Sequence, residues 1–557
     1  MGQDSRSFLT VIRSLGRQNL TVHVAWYGQD PIPLHSRYIA KRHPIPPYSP
    51  GEVHWKQDLL STIRQERFDL VIPCDDQTLL PLQAHRTDFE EIVPLALVND
   101  RAFAVVFDKV QTHELAKSLD ISLPRTLTVS RISQINGLLP PFQFPVVLKP
   151  RVSYSLDNLK VKNDVCRVHT PEEFTTHLES LLHQGPVLVQ ENFSGKGVGV
   201  EVLVDRGTVL LAFQHVRIHE PVTGGGSSYR RSVHVEPELL SAVRALLGSL
   251  EYTGVAMVEF RVNFETAEWI LVEINGRFWG SLPLAVAAGA DFPYYLYQLL
   301  VEQRKEFPQN YTVGIYCRNL LNDFGWMIQN LRARQIEKSS ATLSLWELTK
   351  EWLNLLTLRE RSDALVVDDL KPGWVEIARL LSTCQSLALE KVRNLFFLLQ
   401  PVRRFYGRRM RRALNQAQSV LFVCKGNICR SPFAEAYAKG ILGNSVKITS
   451  CGYYPEENRV SPTQAVQAAR QLGIDLAVHR STLITEDSVD KAEIILTFDP
   501  ENQRTVMKRY PFAKGKIYRL GLLTPRGPTI IKDPFGKSST EFDAAYRNIM
   551  RLLDSLK

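Results

Sequence analysis

At 557 residues the chain has length for three or four folding units of about 150 residues each. Its 44% hydrophobic and 22% charged residues exclude general disorder, and a net charge of +9 favours anionic ligands without marking a nucleic-acid binder. Seven cysteines are too sparse for a disulfide framework, and no apolar run reaches the roughly 18 residues of a membrane span, so a soluble, cytoplasmic protein is expected. The start, MGQDSRSFLTVIRSLGR, carries charge at once, unlike a signal peptide.

Residues 5–16 read as an amphipathic helix, and 20–26 (LTVHVAW) and 68–73 (FDLVIP) as strands, the latter followed by Cys74-Asp75-Asp76. This alternation predicts a small α/β domain over 1–95, with its usual first strand either absent or lying upstream of Met1. Residues 96–310 read as α+β with long strands at 144–149, 186–190 and 208–215. A hairpin is expected from 255–262 and 269–274. Residues 311–416 read as a helical linker ending in Arg403, Arg404, Arg408, Arg409, Arg411 and Arg412, with no acid from 401 to 416. From 417 to 557 strands and helices alternate again, predicting a parallel sheet. The fold class is thus multi-domain α/β.

The sharpest motif is the apolar run Val420–Cys424 followed by Lys425-Gly426-Asn427-Ile428-Cys429-Arg430-Ser431-Pro432. Ser431 and Pro432 suit the start of a helix. A loop of this kind turns its backbone N–H groups toward one point at a helix N-terminus and cradles an anion. Gly426 and Asn427 are residue types that tolerate the positive φ such a curl needs. Cys424 would sit at the base of the cradle as a thiolate nucleophile. Arg430 can clamp two phosphoryl oxygens, and Ser431 can donate to the leaving thiolate. The plainer reading makes Cys424 a buried cysteine at a strand end. Cys429 reads either as a partner for a reversible disulfide or as a small core filler.

With Asp533-Pro-Phe-Gly536, Asp499-Pro-Glu-Asn502, Ser450-Cys451-Gly452 and His479-Arg480-Ser481, residues 417–557 resemble the low-molecular-weight protein tyrosine phosphatases. The resemblance implies a four-stranded parallel sheet with helices on both faces and metal-free hydrolysis through a cysteinyl phosphate. A phosphotyrosine protein or another phosphomonoester would be the substrate. Asp533 matches the general acid, and Asp499 and Asn502 match supporting positions. Arsenate reductases share the cradle but need further downstream cysteines, and here only Cys451 follows.

Upstream, Asp108-Lys109, Val147-Leu-Lys149-Pro150, Val189-Gln190-Glu191, the Gly-rich 223–228, Glu259 and Glu273-Ile-Asn275-Gly-Arg277 form a second constellation. Glu259 and Glu273 fall on neighbouring strands of the expected hairpin and with Asn275 supply hard oxygen ligands for Mg²⁺. Lys109 and Lys149 can neutralise phosphate charge. The plainer reading leaves both glutamates as exposed strand residues paired with arginines. The set resembles an ATP-grasp ligase of the carbamoyl-phosphate-synthase-like arrangement. That resemblance implies ATP and Mg²⁺ as cofactors, a hinge at 187–193 that includes Gln190, Glu191 as a ribose contact, and Arg277 beside an acyl phosphate. It implies a carboxylate and an amine as the joined substrates without naming either.

The expectation is a bifunctional, bacterial-type protein, with a phosphatase regulated by a non-turning-over ATP-binding module as the alternative. The arginine cluster reads either as a solvated linker helix or as a peripheral contact with anionic lipid or a polyanion. No nucleic-acid partner is expected.

Overall fold

The structure, a computed structural model, describes residues 1–4, 6–28, 31–135, 142–221, 226–336, 343–353 and 360–556. The chain forms two compact units, residues 1–167 with 185–382, and residues 168–184 with 383–557.

At the front of the first unit, Asp4 accepts from the Arg6 and Phe8 amides and starts the helix Ser7–Arg17. Phe8, Val11, Ile12 and Leu15 of that helix enter the core. Strand β1 (Val22–Ala25) pairs in parallel with β2 (Ile39–His43). The strand expected at 68–73 is an extended segment with a single bridge, Val71 to Leu95. Pro73 and Pro94 bring no N–H groups, so the ladder stops after one pairing. Gly2 bridges Tyr27 in parallel, and the Cys74 amide donates to the Met1 carbonyl.

A four-stranded sheet follows in the order β3-β6-β4-β5, from β3 (Thr126–Val129), β4 (Val146–Pro150), β5 (Cys166–Val168) and β6 (Val187–Glu191). The larger sheet has seven strands: β7 (Lys196–Asp205), β8 (Thr208–His219), β9 (Tyr229–Val233), β10 (Gly254–Val262), β11 (Trp269–Asn275), β12 (Tyr316–Arg318) and β13 (Glu360–Ser362). Its order is β11-β10-β7-β8-β9-β12-β13. Alternation along β7 explains its strength as a core element. Val198, Val200, Val202 and Val204 meet the helix Pro237–Ser249 through Val243, Leu246 and Leu247. Leu203 joins the opposite core with Phe213, Trp279 and Phe292. Burying each such large side chain stabilises the fold by about 1.5–3 kcal/mol, which makes this sheet the backbone of the unit.

The segment 311–416, expected to be helical throughout, is mostly so. Its helices are Leu320–Ile336, Leu345–Leu353, Leu370–Phe396 and Gln400–Gln416. The exceptions are β12 and β13, three residues each, too short for a periodicity to register in the sequence. Buried ion pairs from Arg318 to Glu360 and from Arg230 to Asp363 lock these edge strands onto β9.

The second unit holds the parallel sheet expected for 417–557. Strands β14 (Ser419–Cys424), β15 (Lys447–Gly452), β16 (Ile494–Thr497) and β17 (Ile517–Arg519) run in the order β15-β14-β16-β17. The central strand β14 is buried on both faces, as parallel strands are. Val420, Phe422 and Cys424 face a core with Phe433 and Tyr546, while Leu421 and Val423 face Val489 and Val506. Helices therefore cover both sides, and Cys424 ends the strand where the chain must turn.

Candidate functional site

The run after β14 bends into a tight cradle and enters the helix Arg430–Leu442. Asn427 makes the bend, with φ of +52°, in the left-handed region that asparagine tolerates. Gly426, expected to share that role, does not adopt positive φ. Its carbonyl instead accepts from Arg459 Nη2 at 2.7 Å.

The Cys424 sulfur lies at the base of the cradle, within 3.2 Å of the Asn427 amide and 3.0 Å of Ser431 Oγ. Asn427 Nδ2 donates to Ser431 Oγ at 2.9 Å, and the serine hydroxyl also lies 3.5 Å from the Cys451 carbonyl oxygen. Asn427 is wholly buried and also donates to Ser450 Oγ, while its Oδ1 accepts from the Thr482 amide. His479 Nε2 donates to the Asn427 carbonyl at 2.7 Å. Gly452 lets β15 approach the cradle, because a Cβ there would lie 2.8 Å from the Asn427 amide nitrogen and the Lys425 carbonyl oxygen.

Arg430 is buried and held from two sides. Its Nη1 reaches Asp499 at 2.7 Å and the Ile531 carbonyl at 3.0 Å, and its Nη2 reaches Asp533 at 2.5 Å. Burial opposes the guanidinium charge, but Asp533, Cys424 and Asp499 more than offset it and raise its pKa. Asp499 also caps the helix Pro500–Arg509 by accepting from the Asn502 amide, so it is a brace for Arg430. Asn502 meets neither Cys424 nor Arg430, and its Nδ2 donates to Tyr453 Oη at 3.1 Å. Asp533 stays partly exposed.

Lys425 is exposed at the rim, and its carbonyl accepts from the Tyr453 and Tyr454 amides. Ile428 and Cys429 are buried. Burial, with Asp533 and Cys424 nearby, pushes the Cys429 thiol well above its ordinary pKa, which matches the filler reading better than a reactive partner. All seven cysteines are free. Sequence reasoning missed Arg459, whose guanidinium stacks 4.3 Å from the Tyr454 ring while it props the cradle. It lies in an irregular stretch with no motif around it.

The second constellation converges in the first unit. Glu259 on β10 stands directly opposite Glu273 on β11. A cavity of about 200 Å³ is lined by Asp76, Lys109, Lys149, Gln190, Glu273, Asn275 and Arg277. Burial pushes the Glu273 carboxyl up, but Lys109 and Lys149 outweigh it, so the pKa falls below the ordinary value. Burial drops Lys149 to about 8 against the pull of Glu273 and Glu259. Lys149 Nζ donates to the Val272 carbonyl at 3.2 Å, and Lys109 Nζ to Ser153 Oγ at 2.7 Å.

Two expected members stand apart from that lining. Glu191 accepts from the Arg125 amide at 3.0 Å, which ties β6 to the chain before β3. Glu259 is paired with Arg217 at 2.5 Å, the arginine pairing of the plainer reading, though buried rather than exposed. Burial raises the Glu259 pKa; Arg217 opposes the rise and Glu273 adds to it. Asp76 was the missed participant. It grips Arg277 through both carboxylate oxygens at 3.0 Å. Of the Gly-rich run 223–228, residues 223–225 lie outside the described residues, and Ser228 is buried with its hydroxyl on Asp323. Elsewhere, His23, His43 and Glu66 bring ligand-type atoms within 4.8 Å of one another, but Lys41 already neutralises Glu66 and the two rings share a hydrogen bond.

A thiol at the end of a parallel strand, inside an anion cradle that feeds a helix, defines a cysteine-dependent phosphatase fold and site. Residues 419–557 match the family model for low molecular weight phosphotyrosine protein phosphatase. They are 33% identical over 138 residues to a probable low molecular weight protein-tyrosine-phosphatase, EpsP, of Ralstonia nicotianae, covering 25% of this chain and 92% of that protein. A protein-arginine-phosphatase of Geobacillus stearothermophilus is 31% identical over 137 residues, with coverage of 25% and 92%. Residues 183–320 match the model described as ATP-grasp in the biosynthetic pathway with Ter operon. A D-aspartate ligase of Enterococcus faecium is 26% identical over 225 residues, which is 37% of this chain and 53% of that protein. The chain belongs to the low-molecular-weight protein-tyrosine-phosphatase family through its C-terminal residues and carries an ATP-grasp domain ahead of them.

Proposed function

We propose that the chain hydrolyses phosphotyrosine through Cys424 and, in its ATP-grasp domain, joins a carboxylate to an amine at the expense of ATP. The observation that carries the first half is the Cys424 sulfur, met by the Asn427 amide and the Ser431 hydroxyl with Arg430 alongside. Cys424 attacks phosphorus, the S–P bond forms, and the aryl P–O bond breaks as Asp533 gives its proton to the leaving phenoxide. In the second step Asp533 takes a proton from water, the water oxygen bonds to phosphorus, and the thiolate leaves with the Ser431 hydroxyl donating to it. Arg430 and the cradle amides hold the charge on the equatorial oxygens. No metal enters this cycle.

For the second half, the support is the convergence of Lys109, Lys149, Gln190, Glu273, Asn275 and Arg277 on one cavity, together with the resemblance to a D-aspartate ligase. The donor set fits Mg²⁺. Glu273 and Asn275 present hard oxygens, and Glu259, held by Arg217, stands opposite Glu273 on the neighbouring strand. When bound there, Mg²⁺ neutralises nucleotide phosphate charge. Lys109 and Lys149 would orient the phosphates, and Arg277, fixed by Asp76, would hold the activated carboxylate for the amine. We place the protein in the cytoplasm, where seven sparsely spaced cysteines would be kept as thiols.

Thermal unfolding of the full chain with Mg-ATP tests this reading. The transition of the ATP-grasp unit should rise with nucleotide in a Mg²⁺-dependent way. Glu273→Ala should remove the metal dependence, and Lys149→Ala should weaken binding itself. Phosphatase activity should persist in both variants. ADP release that requires both a carboxylate and an amine establishes the ligase. Nucleotide binding without ADP release, coupled to a change in phosphatase rate, favours the regulatory module instead.

A further inference from the structure

The segment that follows the ATP-grasp unit has a surface that neither activity uses. Over residues 383–416 the helix ending at Phe396 and the helix Gln400–Gln416 turn their inner sides to the phosphatase. Gly407 lies so close to the Leu522 and Leu523 carbonyls that a Cβ would fall 2.8 Å from the latter oxygen. Arg403 donates to the Gly521 and Gly527 carbonyls, and Met410 and Leu414 are buried. Phe397 packs on Tyr406 beneath Arg519, and Glu390 pairs with Arg504. These contacts fix the rotation of both helices, so what faces outward is set.

What faces outward is apolar and cationic together. Leu389, Val392, Leu395, Phe396, Leu399 and Phe405 are exposed, from 48% at Val392 to 68% at Phe405. The first four recur at helical spacing on one side of the helix ending at Phe396, the side that a water-facing helix fills with polar residues. Beside them Arg404, Arg408, Arg409, Arg411 and Arg412 are exposed, and among the described residues none pairs with a carboxylate. A solvated linker would account for the arginines but not for the leucines and phenylalanines. An exposed apolar stripe followed by a helix of exposed arginines without carboxylate partners has the chemistry of an interfacial segment, which buries its apolar side at the acyl boundary and meets phosphate headgroups with cations. No helix among the described residues is long and apolar enough to cross a membrane, so the contact would be peripheral.

We propose that the outer face of residues 389–412 docks on an anionic lipid surface and holds the phosphatase at the membrane. Flotation of the full chain with phosphatidylcholine vesicles, with and without roughly one-third phosphatidylglycerol, tests it. Anionic vesicles should bind at least about tenfold more tightly, and high salt should weaken binding. Arg408→Glu with Arg409→Glu and Arg412→Glu should abolish binding. Leu395→Ser with Phe405→Ser should reduce it about tenfold or more at low salt and remove what persists at high salt. Turnover of a soluble aryl phosphate should be unchanged in both variants, which shows that they fold. Equal binding to both vesicle types, or no binding to either, overturns the proposal. So does a dimer of the wild-type chain that Leu395→Ser with Phe405→Ser dissociates, because the face would then cover a second copy. Tight, salt-sensitive binding to duplex DNA without vesicle binding also overturns it.

Discussion

In the phosphatase cradle the residues from Cys424 to Ser431 meet within one turn of chain, whereas the ATP-grasp cavity gathers groups as far apart as Asp76 and Arg277, 201 positions along the sequence. The two sites also differ in how their charges stand without ligand. The cradle holds its nucleophile among neutral donors, with one arginine braced by Asp499 and Asp533. The cavity holds Arg277 on Asp76 internally, while Lys149 is buried in its lining. A local site of the first kind needs only an incoming phosphoryl group. A dispersed site of the second kind depends on nucleotide and cation to replace internal partners, so its properties should respond more to pH and to distant substitutions.

Asp533→Asn separates chemistry from scaffold most strongly. Hydrolysis of phosphates of high-pKa phenols should slow by roughly 10²–10⁴-fold, the usual contribution of a general acid. A nitrophenyl substrate should lose less, because its leaving group departs with little proton assistance. Equal losses on both substrates would make Asp533 a brace for Arg430 alone. Steady-state rates on the two substrates read this directly.

Gly452→Ala probes how tightly the cradle is supported from β15. The added Cβ would meet the backbone of Lys425, Gly426 and Asn427, and overpacking of this kind costs about 1–3 kcal/mol. The phosphatase unit should melt earlier and lose activity, while nucleotide binding stays unchanged. An unaltered melting temperature would show that the cradle has slack.

The smallest expected effect lies in the cavity. Lys149, lowered to about 8 by burial, is charged below that pH and neutral above it. Nucleotide affinity should be flat below about pH 8 and then decline, approaching about tenfold per pH unit, because binding must restore the proton. Calorimetry across that window in buffers of different ionisation enthalpy should show proton uptake on the alkaline side.

The contrast between local and dispersed sites also governs what could be read from the sequence. Cys424, Arg430 and Ser431 were legible because spacing within one loop fixes their relation. The facing pair Glu259 and Glu273 was legible because a short hairpin sets its own register. Arg459, the Asp76 clasp on Arg277 and the pairing of Arg217 with Glu259 were not, since each joins segments whose proximity only the tertiary fold creates. Gly426 illustrates a subtler limit. Composition shows that a residue tolerates positive φ, and the surrounding hydrogen bonds decide that Asn427 takes it. The segment 68–73 has a strand's apolar content, but prolines at 73 and 94 remove the donors that would make it one.

The central claim, that Cys424 carries the phosphoryl group, has a direct test in rapid quench of the full chain with an aryl phosphate followed by peptide mapping. One phosphoryl group should appear on the peptide containing Cys424, accumulate more in Asp533→Ala given a nitrophenyl substrate, and vanish in Cys424→Ala together with turnover. Turnover that survives in Cys424→Ala, or a phosphoryl group found on another residue, would contradict the account.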